Sequence, residues 1–324
     1  MTVRTVPTFT GEVTAEQLGT TLIHEHVFVM SPELDVNMPH PEWDEEHAIE
    51  RAIAGFERLY ALGVRTVVDL TVLGHGRDVE RVRRVAERVP VQLVAATGFY
   101  TSDVLPHHFQ LNGPGRLVDG PDPLIDLFIG DIERGIAGTT IRAGMLKVAS
   151  EAHGITPDVN RVFEAAAIAH IQTGVPVTTH SHAASHGGLE QQDLLERLGV
   201  GLDRVVIGHS GDTGDLDYLR EVAARGSYLG FDRFGMDHMG SDEVRVRSLL
   251  ALIEEGLTSQ LVLSHDAAFF SRMTPPSWRA VNAPNWHMEQ ISRSILPRLV
   301  AEGVDAATIH QLMVENPRRV LCGE

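Results

Sequence analysis

The chain has 324 residues, 43% hydrophobic and 22% charged, the balance of an ordinary globular protein and a length that one α/β barrel can fill. Acidic residues number 44 against 27 basic ones, and a net charge of −17 repels phosphate backbones and anionic lipid, so neither nucleic acid nor a membrane surface is an expected partner. No apolar run reaches the roughly 18 residues of a membrane span. The first ten residues lack the apolar core of a signal peptide, and the single cysteine, Cys322, can form no intrachain disulfide, so a cytoplasmic protein is expected.

Short β-branched apolar runs alternate with longer amphipathic stretches, the rhythm of βα units and a parallel sheet. The first strand covers 21–27 and contains His24-Glu25-His26. Residues i and i+2 share a strand face, so the two imidazoles can aim at one metal while Glu25 faces away. Taken alone, the pair also fits two solvated or backbone-satisfied histidines. The second strand, 64–70, precedes a helix with Val79, Val82, Val85, Ala86 and Val89 on one face. The third, 91–97, leads to Tyr100. A helix over 124–136 precedes the fourth strand, 143–148, which holds Lys147 in an otherwise apolar run. A helix over 159–171 comes before the fifth, 175–180, which closes on His180. A helix over 189–198 comes before the sixth, 204–208, which runs into His209. The seventh, 227–231, is followed by Asp232-Arg233, and the eighth, 260–264, by His265-Asp266. The stretch 266–286, with three prolines and two tryptophans, reads as a long ordered substrate loop. Helices over 288–301 and 306–320 end the chain. Eight such units predict a (β/α)8 TIM barrel occupying 1–324 as a single domain.

A barrel gathers the C-terminal ends of its strands on one face, where barrel active sites are built. His24, His26, Lys147, His180, His209 and Asp266 all lie at or near such ends, so they are expected to converge. Lys147 has two readings. A free ammonium inside an apolar strand is costly, which asks for a carboxylate partner or a path to the rim. Alternatively the amine is neutral and carbamylated by CO2, giving an anionic arm able to bridge two divalent cations.

This set resembles the phosphotriesterase family of the amidohydrolase superfamily, most closely its phosphotriesterase-like lactonases. Further matching segments are Thr20-Thr-Leu-Ile-His-Glu-His26, Ala96-Thr-Gly-Phe-Tyr100, Ile207-Gly-His-Ser-Gly-Asp212, Phe231-Asp-Arg-Phe-Gly235, Val262-Leu-Ser-His-Asp266, Pro284-Asn-Trp-His287 and Glu315-Asn-Pro-Arg-Arg319. They run from the first strand to the last helix. The resemblance implies two divalent cations. His24, His26 and Asp266 would hold the more buried one and His180 and His209 the more exposed one, with N6-carboxylated Lys147 and a hydroxide bridging them. The hydroxide would be the nucleophile, with Asp266 accepting a proton. Zinc is the expected metal, with cobalt, manganese or iron also suited to mixed N and O donors.

Tyr100 would orient a lactone. Arg233 would support the substrate, fix a loop, or pair with a carboxylate such as Asp232. Phe269, Phe270, Met273, Trp278 and Trp286 would either line a channel for an acyl tail, pack the loop down, or form a dimer contact. The implied function is hydrolysis of N-acyl homoserine lactones and other γ/δ-lactones (quorum quenching), with promiscuous hydrolysis of organophosphate triesters, in a homodimer. A dedicated phosphotriesterase (aryldialkylphosphatase) or carboxylesterase is the alternative on the same site. A non-catalytic metal-binding barrel is the alternative of another class. A mononuclear deaminase-like centre would leave Lys147 without a purpose. The remaining histidines, among them His75, His182 and His265, read as solvated or structural.

Overall fold

Side-chain alternation along the strands divides the apolar residues between two packing regions. In the computed structural model, which describes residues 5–323, a hairpin of β1 (Thr5–Thr8) and β2 (Gly11–Thr14) precedes a continuous parallel sheet. Its strands in chain order are β3 (Thr20–Val29), β4 (Val64–Asp69), β5 (Gln92–Gly98), β6 (Ala143–Ala149), β7 (Val177–His180), β8 (Val205–Ile207), β9 (Tyr228–Phe231), β10 (Leu261–Leu263) and β11 (Ala268–Ser271). From β3 to β10 each pairs with its sequence neighbour, and β11 pairs with β3, Ala268 opposite His26 and Phe270 opposite Phe28. The result is the (β/α)8 barrel expected from the sequence.

Val67, Leu93, Leu146, Val205 and Leu261 pack with the helices in the larger core cluster. Their alternates Val68, Val94, Met145, Val206 and Val262 form an inner cluster with Val6, Val13 and Leu18 at the hairpin end. The hairpin closes that end of the cylinder: the Phe9 N–H donates to the Leu93 carbonyl at 2.9 Å. Each such buried aliphatic side chain contributes about 1.5–3 kcal/mol. Lys147, two residues after Met145, therefore points into the opposite end.

The helices carry their own start and stop signals. Glu45–Ala61 begins at Asp44, whose carboxylate accepts the His47 N–H at 2.8 Å, and it buries Ile49, Ala52, Ile53, Phe56 and Leu59 on one face. Pro157–Thr173 starts with a Thr156 cap and a proline in its first turn, and stops at Gly174 with φ 73°.

The eighth strand departs from expectation. It is divided into β10 and β11 by a bend, and 266–286 is no long loop: it holds β11 and the helix Pro276–Asn282. The ladder crosses the bend through the Asp266 N–H to the His24 carbonyl (3.0 Å) and the His26 N–H to the Ala267 carbonyl (2.8 Å). Glu25, fully buried, holds the bend from the other side. Its carboxylate accepts from Ser264 Oγ (2.8 Å), the His265 N–H (2.9 Å), His265 Nδ1 (2.6 Å) and the Ala267 N–H (3.0 Å). His265 Nε2 in turn accepts the Ile291 N–H, so His265 is structural, as the sequence reading had it. Among the described residues no helix is long and apolar enough to cross a membrane.

Candidate metal centre

The parallel sheet brings His24 and His26 (β3), Lys147 (β6), His180 (β7), His209 (after β8) and Asp266 (after β10) to one end of the barrel. All six line a cavity of about 210 Å3 together with Tyr100 and Arg233. The backbone is specialised there. His209 and Asp266 adopt left-handed φ values of 62° and 52°, a conformation that costs a non-glycine residue on the order of 1–3 kcal/mol. Gly98 brings β5 against β6 beside Lys147; a Cβ at that position would lie 1.9 Å from the Lys147 carbonyl oxygen.

Hydrogen-bond partners fix the imidazole tautomers. Asp232, 1% exposed, accepts from His24 Nδ1 on Oδ2 (2.7 Å) and from both the backbone N–H and Nδ1 of His209 on Oδ1 (2.8 and 2.9 Å). Thr71 Oγ1 donates to Asp69 and therefore accepts from His26 Nδ1 at 3.0 Å. His180 Nε2 donates to Glu151 at 2.7 Å. Each outer nitrogen thus carries the proton, and each inner nitrogen turns a lone pair inward. His209 Nε2 faces His180 Nδ1 at 2.9 Å, and His26 Nε2 faces Asp266 Oδ1 at 3.1 Å. Lone pair against lone pair, and lone pair against carboxylate, are repulsive unless a cation lies among them. Donors braced from behind by carboxylates are what divalent metals take. The trio His24, His26 and Asp266 offers ligand atoms within 4.8 Å of one another. So does His24, His209 and Asp232, but there the Asp232 oxygens are occupied by the two Nδ1 protons.

The charges agree with that donor set. Burial holds His24, His180 and His209 below the ordinary imidazole value, so they are neutral ligands at pH 7. For Asp266, burial opposes ionisation but is outweighed by its neighbours, the permanently charged Arg233 among them, which keep its carboxyl well below the usual range. Arg233 Nε donates to Asp266 Oδ2 (3.1 Å) and its Nη1 to Asp212 (2.8 Å), and Asp212 accepts from buried Arg245 (2.7 Å). Of the readings open for Arg233, pairing holds, but with Asp212 and Asp266 and not with Asp232. Burial lowers the Lys147 amine to about 8. Among the described residues its Nζ hydrogen-bonds to His24 Nε2 (3.1 Å) and the Thr179 carbonyl (3.2 Å) and forms no ion pair, and at 1% exposure it does not reach the rim.

Comparison with known proteins agrees with this architecture. The model of the phosphotriesterase family matches residues 4–321. The chain belongs to the phosphotriesterase family. It is 45% identical over 310 residues to a phosphotriesterase homology protein of Mycobacterium tuberculosis, covering 96% of this chain and 95% of that protein. It is 37% identical to an aryldialkylphosphatase of Saccharolobus solfataricus, covering 95% and 96%. The solved structure of the phosphotriesterase from Mycobacterium tuberculosis superposes with a TM-score of 0.95 at 44% identity, covering 98% of each chain.

In this family member the cavity has two further features. Tyr100 lines it, and burial pushes its hydroxyl up to about 12, so it is a permanent donor; it makes no hydrogen bond to the described protein. His75 stacks on the Tyr100 ring at 3.9 Å and meets His26 edge-on at 5.1 Å, with Nδ1 buried and unpartnered. The sequence reading takes His75 as solvated or structural, because nothing in Gly74-His75-Gly76 announces a wall of the cavity. The apolar residues of 266–286 divide. Met273 and Trp286 line the cavity with Met236 and Met239, whereas Phe270 packs on Trp43 at 4.7 Å and Phe269 on Phe56 at 4.8 Å. Trp278 lies edge-on to His238. Of the alternatives open for that segment, Met273 and Trp286 fit a cavity lining and Phe269 and Phe270 fit packing.

Proposed function

We propose that this phosphotriesterase-family hydrolase is a dinuclear lactonase. It would open N-acyl homoserine lactones and other γ/δ-lactones and hydrolyse organophosphate triesters as a side activity. His24, His26 and Asp266 would hold one divalent cation and His180 and His209 the other, with Lys147, carboxylated on Nζ by CO2 with loss of one proton, between them. When bound, the pair supplies an acidified water and a Lewis acid for the carbonyl. Asp232, Thr71 and Glu151 keep the inner imidazole nitrogens unprotonated. Asp266 accepts the proton released by attacking water and passes it to the leaving alkoxide. Arg233 holds that carboxylate in place and, always protonated, relays nothing itself. The Tyr100 hydroxyl donates to the lactone, and the Met236, Met239, Met273 and Trp286 side takes its apolar part.

The observation that carries this reading is Lys147: a buried amine of lowered basicity, 3.1 Å from His24 Nε2 and with no ion pair among the described residues. A mononuclear site has no use for it. Zinc is the first choice of metal, and the protein is read as a single-domain homodimer in the cytoplasm. An aryldialkylphosphatase among the relatives favours the alternative, a dedicated phosphotriesterase. The test is kcat/KM of the metal-replete enzyme on acyl homoserine lactones, simple lactones and an aryl phosphotriester. Lactones should be preferred, with two metal equivalents per chain. A triester preference beyond about tenfold, roughly 1.4 kcal/mol at the transition state, overturns the lactonase assignment. One metal equivalent overturns the bridge.

A further inference from the structure

A second concavity lies between the helices Glu45–Ala61 and Pro276–Asn282. Its volume, about 340 Å3, falls within the roughly 300–1,000 Å3 of small-molecule sites. It abuts the catalytic cavity, because Ala268 and Trp286 line both.

Three arginines line it; Arg58 is paired with Glu289 at 2.7 Å, which leaves Arg51 from the first helix and Arg279 from the second. Arg51 Nη2 donates to the Phe269 carbonyl at 2.6 Å, and Arg279 Nη1 donates to the Ala268 carbonyl. A guanidinium carries five N–H donors, so most remain available on both. Neither arginine forms an ion pair among the described residues. The carboxylates in reach are engaged elsewhere: Glu289 accepts from Arg58 (2.7 Å) and Arg293 (2.6 Å), and Glu42 accepts from Ser277 (2.7 and 2.9 Å). Arg279 is only 9% exposed, and burial together with the neighbouring Arg51 charge lowers it to about 10. Arg51 and Arg279 repel one another, and no ion pair of either arginine among the described residues offsets that repulsion. The rest of the wall combines apolar side chains, among them Leu59, Phe269, Pro276 and Met288, with His287 and the Arg58–Glu289 pair.

We infer that this concavity binds a small oxyanion, a carboxylate or phosphate carried on a compact apolar body, with Arg51 and Arg279 as its two anchors. The planar guanidinium fork matches either group, and the aliphatic wall takes the body. The inference is independent of the lactonase reading, since neither arginine touches the candidate metal centre.

The test is titration of the metal-loaded protein with inorganic phosphate and, separately, acetate, at constant ionic strength, followed calorimetrically. Phosphate has affinity for bound divalent cations too, so the comparison is with Arg51→Gln and Arg279→Gln, whose candidate metal ligands are intact. Saturable binding of either anion, weakened about tenfold or more in both variants, supports the site, and the anion that binds tells which group it selects. Equal affinity in wild type and variants, or no saturable binding of either anion, overturns it. Should Arg279→Gln fail to fold, phenylglyoxal footprinting of the wild type decides. Phosphate must then slow modification of Arg51 and Arg279 and leave exposed Arg247 unaffected; equal rates with and without phosphate overturn the site.

Discussion

Asp232→Asn is the sharpest probe of the candidate centre, because the structure dictates which way the amide must turn. Asp232 Oδ1 receives the His209 backbone N–H at 2.8 Å, a donor that cannot reverse, as well as His209 Nδ1. The amide oxygen must therefore occupy the Oδ1 position. The NH2 then replaces Oδ2, directly opposite the Nδ1–H of His24 at 2.7 Å. Two donors meet, and His24 relieves the conflict only by moving its proton to Nε2. That nitrogen lies 3.1 Å from Lys147 Nζ and 3.5 Å from Asp266 Oδ1, where the proposed buried cation needs a lone pair. Losing such an outer partner costs metal affinity on the order of 10–100-fold, about 1.4–2.7 kcal/mol. Competition against a chelator should show one of the two cations weakened by that factor, with kcat/KM falling in parallel and the folded baseline kept. A variant that binds both cations as tightly as wild type, at unchanged kcat/KM, refutes the tautomer argument and with it the ligand role of His24.

Three other outcomes are expected. Glu25→Gln turns an NH2 toward the Ala267 N–H, leaving buried donors opposed. Urea unfolding should show a loss of about 1–3 kcal/mol, and an unchanged midpoint would remove Glu25 from the account of the bend. Tyr100→Phe should lower lactone kcat/KM about tenfold, roughly 1.4 kcal/mol, without changing metal content; full activity would exclude the hydroxyl as a substrate donor. Lys147→Met isolates the amine in metal-free, CO2-free buffer. The free lysine titrates near 10.5 and the buried one at about 8, so between those values only the unfolded chain holds the proton. Rising pH therefore stabilises the wild type, and its stability relative to the variant should improve from pH 8 toward 10. A difference independent of pH across that window contradicts the burial-driven shift.

The barrel was readable because strands buried on both faces leave unbroken β-branched runs, and because polar residues stand out at their ends. Lys147 inside an apolar strand is the plainest case, and the six converging residues follow from topology once the barrel is recognised. What supports them was not readable. Asp232 was noticed only as a partner for Arg233, yet it serves His24 from 208 positions away. Glu25 reads as a residue that merely faces elsewhere, because its partners at 264–267 come from the far end of the chain. The bend at Asp266 depends on a left-handed φ that an aspartate does not advertise. The helix Glu45–Ala61 was missed, although Asp44 and the spacing of Ile49, Ile53 and Phe56 announce it. The β1–β2 hairpin lacks a strong turn pair, and its apolar positions gain meaning only against the barrel's lower layer.

On the proposed function, the bend that divides the eighth strand would make assembly and chemical competence one event. His24 emerges early in synthesis, and Asp266 must then travel back across 240 positions to meet His26. Until the last quarter of the polypeptide zips onto the first strand, the early histidines lack their carboxylate, and the cylinder stays open along that edge. On the proposed function, a nascent or C-terminally clipped chain would lack both a metal ligand and the proton acceptor. A cation held by His24, His26 and Asp266, as proposed, would then act as a clasp between the two ends of the molecule.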